Sequence, residues 1–248
     1  MASVSVHHRR GLLLGGRSHE AVLPAPAVET EDAVGCWLAD AAHAEAASVV
    51  AFKAVARELE SHEAPDELPA QARDAAQDEV RHAALMESMA MRWGVQPKRP
   101  KLASIAVRSL EAMAVENASE GCVRETWAAL EACHQARWAR DPVIRRAMAE
   151  ISADELRHAE FSWALDAWAR RRLPAEARAR VEVSKRRAVA ALFEALAVDR
   201  DRNLCVEAGM PTPTAAAELA RGLSNALWER PAVRPAMSVE VQLSPTSR

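Results

Sequence analysis

The chain contains no tyrosine, only three phenylalanines and only eight glycines in 248 residues. Aromatic and β-branched residues are too sparse and too scattered to write strands. Scarce glycine, set against abundant alanine, leucine, glutamate and arginine, favours helix. Positive charge is not in surplus either: 32 Lys and Arg against 35 Asp and Glu leave a net charge of −3. A phosphate-binding face normally needs such a surplus, so nucleic acid is not an expected partner. The four cysteines, Cys36, Cys122, Cys133 and Cys205, form no Cys-x-x-Cys pair and no dense framework. They read as small buried hydrophobes in a reducing compartment, and the chain as cytoplasmic. No apolar run approaches the roughly 20 residues that span a bilayer. The apolar part of the stretch from His7 to Leu14 is too short for a good signal peptide. A membrane is therefore not expected.

What the chain does have is helical periodicity. Residues 1–28 lack it and close on Pro24-Ala25-Pro26, so they are expected to be a disordered tail. From Glu31 to about His62, Leu38, Ala42, Glu45, Val49, Phe52, Ala56 and Leu59 share one stripe. Pro65 and Pro69 break that helix. A second runs from about 69 to Trp93, with Ala75, Glu79, His82, Met86 and Met89 on one face, and Gly94 ends it. A third stretch spans about 103 to Ala139, interrupted near its start. Asp141-Pro142 then supplies an N-cap and a proline at the first helical position of a fourth helix. The spacing predicts a bundle over 29–170, additional C-terminal helices over 171–228 (about 175–198 and 214–228), and an extended tail over 229–248.

The pentapeptide Asp-Glu-x-Arg-His occurs twice, at Asp78–His82 and at Asp154–His158, offset by 76 positions. Glu45 stands 34 residues before the first Glu-x-x-His, and Glu120 stands 35 before the second. The chain thus reads as two duplicated helix pairs, and the repeat extends to Phe52 and Trp127, each seven residues beyond its glutamate. Glu-x-x-His projects a carboxylate and an imidazole from one helix face toward a common point. Four inward carboxylates would repel one another strongly in a low-dielectric core. Two divalent cations cancel those charges, with Glu45, Glu79, His82, Glu120, Glu155 and His158 as ligands. Mixed carboxylate and imidazole ligation suits iron or manganese better than a closed zinc site. Asp78 and Asp154 are expected to orient the histidines across the bundle, with Arg81 and Arg157 balancing their charge. Glu116 and Glu125 are expected to be solvated helix-face residues. His43 and His134 lack partners at ligand spacing.

The paired Glu and Glu-x-x-His pattern resembles the ferritin-like superfamily of dinuclear-iron carboxylate proteins, over residues from about 31 to 170. The Asp-Glu-x-Arg-His form is similar to that of bacterial diiron monooxygenase hydroxylases, and Glu45–Phe52 resembles a segment of uncharacterised bacterial ferritin-like proteins. The resemblance implies an all-α, ferritin-like four-helix bundle and two iron ions, or manganese, or a mixed pair. Glu79 and Glu155 would bridge the metals, and the aspartates and arginines would sit behind the ligands.

Function follows as an expectation: a nonhaem diiron oxidase or hydroxylase that uses O2, an external electron donor and a small organic substrate. That substrate would enter past Phe52, Val123 and Trp127. The alternative is a ferroxidase, peroxide-scavenging or metal-buffering protein without an organic substrate; a helical module with a vestigial site is a third. The missing tyrosine argues against a tyrosyl-radical subunit, and the missing Cys-x-x-Cys pairs argue against a rubredoxin module. The additional C-terminal helices are expected to cover one end of the bundle or to form a homodimer interface.

Overall fold

The computed structural model describes residues 32–100 and 106–229, and among them every regular element is helical. The expected N-terminal tail lies outside the described residues, as does the C-terminal tail beyond Glu229. The long elements are α1 (Ala33–Ser61), α2 (Glu67–Arg92), α5 (Pro142–Arg172) and α6 (Ala175–Leu196). The third expected stretch is divided: α3 (Leu110–Ser119), a π-helical turn (Glu120–Glu125) and α4 (Thr126–Trp138). A short α7 (Arg202–Val206), not foreseen, precedes α8 (Pro213–Leu223), which ends in a second π-helical turn (Ser224–Trp228).

Local chemistry sets most of these boundaries. The Asp32 carboxylate accepts from Gly35 N at 2.7 Å and opens α1. Asp141 accepts from Val143 N and Ile144 N at 2.8 and 3.0 Å, ahead of Pro142 at the first position of α5. Ser109 caps α3 and Thr212 caps α8 in the same way. Two expectations need correction. Pro69 does not delay α2, because in the first turn its missing N–H has no intrahelical partner to lose. The third stretch has its helix starting at Leu110 rather than near 103: residues 106–109 form no regular element, and Ser109, in an extended conformation, caps the helix.

The described parts of the link between the two helix pairs touch α1 at its start and near its end. A Cβ on Gly35 would meet Val95 at 2.6 Å, so glycine is what lets the link lie against the start of α1. Farther along, His43 Nδ1 donates to Lys98 O at 2.7 Å, and Glu58 accepts from Arg108 N at 3.1 Å and from its guanidinium. His43 is thus committed to holding the chain. This crossover makes the second pair start at the far end from where the first pair finished.

Core side chains gather above, below and beside one polar centre. One cluster joins Trp37, Leu38, Met86, Met89, Ile144, Met148 and Ile151. A second, toward the other end, joins Phe52, Leu59, Met113, Phe161 and Leu165. A third packs Val123 and Trp127 against Leu192, Leu196 and Trp228 from the C-terminal helices. Each fully buried leucine or isoleucine stabilises the fold by about 1.5–3 kcal/mol. Cys133 departs from expectation in being exposed, and Cys36 and Cys205 are only partly buried; Met91 is exposed as well.

Residues 200–211 fasten the end of α4 and the α4–α5 turn. Arg140 N and Asp141 N donate to Val206 O and Glu207 O, while Gln135 Nε2 and His134 Nδ1 donate to Ala208 O and Gly209 O. Gly209 has φ +65°, and a Cβ there would lie 2.3 Å from Ala139 N. Gly209→Ala is therefore expected to destabilise the protein by about 3 kcal/mol, combining the left-handed strain with a backbone clash. Thermal unfolding should register this as a fall in Tm of about 6–12 °C.

Candidate metal centre

Between the apolar clusters, α1, α2, α5 and the π-helical turn bring acidic and imidazole side chains together. Two overlapping groups have ligand atoms all within 4.8 Å of one another: Glu45, Glu79, His82 and Glu155, and Glu125, Glu155 and His158. All six side chains are buried. The two histidines turn Nδ1 inward. His82 Nδ1 lies 3.7 Å from Glu79 and 3.5 Å from Glu155, and His158 Nδ1 lies 3.3 Å from Glu79 and 3.7 Å from Glu155. Glu79 and Glu155 each face both imidazoles.

Each imidazole turns Nε2 outward, toward the aspartate of the opposite helix. His82 Nε2 meets Asp154 Oδ2 at 3.0 Å, and His158 Nε2 meets Asp78 Oδ2 at 3.2 Å. Arg81 and Arg157 each reach both aspartates, closing a pseudo-twofold network on the α2–α5 face. With Nε2–H donating to a carboxylate, Nδ1 is the ring atom that would face a metal ion once the imidazole is neutral.

One sequence-derived ligand is not in the cluster. Glu120 sits at the start of the π-helical turn with its carboxylate 3.3 Å from the Arg124 guanidinium, and it shares in neither group. Glu125 stands in the cluster instead, 1 % exposed and 3.8 Å from His158 Nδ1, not on a solvated face. The cause is the widened turn, which adds a residue and rotates everything after it relative to an ordinary helix. A π turn also frees backbone carbonyls, and the structure supplies a partner: Trp228 Nε1 donates to Cys122 O at 2.9 Å. The second π-helical turn thereby braces the first. The remaining histidine of interest, His134, is held by Gly209 O and takes no part.

The donor set fits a cation pair. Both oxygens of Glu79 and of Glu155, Oε2 of Glu45, and Nδ1 of His82 and of His158 are buried with no hydrogen-bond partner. Buried polar atoms in that state are costly, and a shared focus for so many is what metal ions provide. Protons now play part of that role. Burial alone would lower both imidazoles, but the Glu155 and Glu79 carboxylates facing each Nδ1 overcome it and lift His82 and His158 to about 11. Burial, then repulsion from Glu79, pushes the Glu45 carboxyl well up. The same imidazoles hold Glu79 and Glu155 below the usual carboxylate range, against the effect of burial.

His82 and His158, both protonated at pH 7, must therefore give up their protons when metal binds, and the upward shift of the Glu45 carboxyl acts in the same direction. Loading weakly buffered metal-free protein with a divalent cation should release at least about two protons per chain, one from each imidazole, measured with a pH indicator. Apparent affinity should weaken as pH falls, because acid keeps those groups protonated. Proton release near zero would contradict the arrangement.

A cavity of about 30 Å³ adjoins the cluster at Glu45 and Glu155 and extends toward the start of α1. Trp37, Met86, Met148 and Ile151 form its apolar walls, and Glu131 and Gln135 from α4 supply polar ones. Phe52, Val123 and Trp127 do not line this cavity: the Phe52 ring packs 5.1 Å from that of His158, and Val123 and Trp127 lie in the cluster shared with the C-terminal helices. No helix among the described residues is long and apolar enough to cross a membrane. Comparison with protein-family models, with curated proteins and with solved structures returns no match to this chain.

Proposed function

We propose that the chain is a ferritin-like, dinuclear-metal oxidoreductase. In this reading Glu45, Glu79, His82, Glu125, Glu155 and His158 hold two iron ions, or manganese or a mixed pair, and O2 or peroxide is the oxidant. The observation that carries the reading is the convergence of buried carboxylate and Nδ1 atoms without hydrogen-bond partners. A reduced pair of such ions supplies two electrons for reduction of O2 or peroxide. The protein's own side chains do the rest. Asp154 and Asp78 hold the outward Nε2–H of each imidazole and keep Nδ1 aimed inward. Fully buried Phe52, Val123 and Met113 belong to apolar clusters that keep water from the interior around the site. Such a centre would need an external electron donor as its partner.

The first version of this activity is oxidation of a small organic substrate. A second is removal of peroxide or oxidation of metal without an organic substrate, and the size of the cavity favours it. Its volume of about 30 Å³ suits about two water-sized groups. Metal analysis of protein purified from iron-supplemented cells should return about two ions per chain. Anaerobically reduced protein should then consume O2 or hydrogen peroxide in stoichiometric amounts. Organic substrates separate the versions, because only the first predicts that one of them accelerates turnover. Protein that carries no metal and takes none up would overturn both.

A further inference from the structure

The cavity beside the cluster contains a polar element that the metal site does not use. Glu131 lines it from α4, six residues beyond Glu125, and its side chain is 9 % exposed. Arg200, 1 % exposed, reaches in from the segment before α7 and donates to Glu131 Oε1 at 2.9 Å and to Pro211 O at 3.0 Å. The carboxylate is thus held by a cation on the 200–211 segment that fastens the end of α4. A carboxylate has about four lone-pair sites, so capacity remains toward the cavity. Gln135, also on the wall, is fixed by donating Nε2 to Ala208 O.

The other walls are apolar, and the far end is formed by Glu45 and Glu155 of the cluster. A chamber of this size, apolar except for fixed hydrogen-bond acceptors, selects a ligand of about two heavy atoms that carries O–H donors. Dioxygen has no such donor; hydrogen peroxide has two. We propose that this chamber is the route by which peroxide reaches the centre, and that Glu131, fixed by Arg200, binds and orients it there. The inference rests on the dinuclear reading above and adds to it the route and the binding residue.

The walls provide their own reporter. Met86 and Met148 line the chamber, whereas Met89, Met113 and Met210 are just as buried but lie outside it. Peroxide in the chamber transfers one oxygen atom to a thioether sulfur and leaves as water; tert-butyl hydroperoxide would leave as tert-butanol. The test uses full-length protein supplied with zinc, which is redox-inert, and maps methionine sulfoxide by peptide mass spectrometry. Hydrogen peroxide should oxidise Met86 and Met148 while sparing Met89, Met113 and Met210. Bulky tert-butyl hydroperoxide should oxidise the exposed Met91 but spare Met86 and Met148. Glu131→Gln should slow oxidation of Met86 and Met148 about fivefold relative to Met91, because a neutral acceptor binds the donor less strongly. Ala132→Val, which narrows the chamber and keeps Glu131, should slow it as well.

Equal oxidation of all the buried methionines would mean opening of the whole bundle and would overturn the proposal. So would protection of Met86 and Met148 from hydrogen peroxide, or wild-type rates in both variants. Because zinc takes no part in the oxidation, failure here leaves the dinuclear reading standing. The sulfoxide pattern without any bound metal would instead sink that reading and the chamber's role as a route to it, leaving only peroxide binding at Glu131. In iron-loaded protein Glu131→Gln should raise the KM for hydrogen peroxide about fivefold with kcat and metal content little changed.

Discussion

Glu155→Ala is expected to strip the protein of both metal ions while leaving its helix content nearly intact. Glu155 is the one side chain common to both groups of potential ligands, and its Oε1 lies 3.5 Å from His82 Nδ1 and 3.7 Å from His158 Nδ1. Removing it therefore withdraws a donor from both positions at once. Loss of a ligand that also orders its neighbours weakens metal binding by orders of magnitude. The helix itself has little reason to fail, since its caps and its apolar contacts lie elsewhere. Glu155→Gln separates charge from shape: it keeps the volume, removes the bridging anion, and should lose metal too. The measurements are metal content by mass spectrometry and helix content by circular dichroism. Retention of two ions by both variants would refute the assignment of Glu155 as the shared carboxylate.

The metal-free protein should respond differently to the same change. Without metal the two imidazoles stay protonated chiefly because Glu155 and Glu79 outweigh the effect of burial. Taking Glu155 away removes much of that support, so both imidazoles become easier to deprotonate. The cluster thus alternates between two ways of neutralising its carboxylates, by protons or by cations. Competition between the two is why the proton count on loading reports on the geometry of the site.

Much of this was legible in the residues. Each repeated pentapeptide lies within one uninterrupted helix, so spacing of three and four translates directly into position on a face. That is how Glu79, His82, Glu155 and His158 could be located, and Glu45 follows from the regular stripe of α1. The Asp141-Pro142 start of α5 was equally plain, because cap chemistry is local. What the residues hid was non-local. Nothing in Glu120–Glu125 announces a π-helical turn; its freed carbonyl at Cys122 is met by Trp228, more than a hundred residues away. The same holds for Glu131, whose burial depends on Arg200 arriving from the segment before α7. Phe52 and Trp127 share a repeat position, yet they pack in different apolar clusters once the second half has been rotated.

Glu125→Ala and Glu120→Ala together decide whether that rotation governs the chemistry. In a regular α-helix residues five apart lie about 140° around the axis, so an inward Glu120 would force Glu125 outward. The widened turn reverses the choice, leaving Glu120 beside Arg124 and burying Glu125 against His158. Glu125 belongs only to the group that contains His158, and Glu45 only to the group that contains His82. Glu125→Ala should consequently lower bound metal from about two ions per chain to about one. Glu120→Ala should keep both, changing stability by only a few tenths of a kcal/mol, since its i,i+4 pair with Arg124 is largely exposed on the arginine side. Trp228→Phe gives an independent check, for it removes the N–H that satisfies Cys122 O without touching any acidic residue. If the π-helical turn sets the site, that variant should also weaken the metal beside His158, while the one beside His82 persists. Loss of metal from Glu120→Ala with full retention in Glu125→Ala would restore the straight-helix assignment and overturn this one.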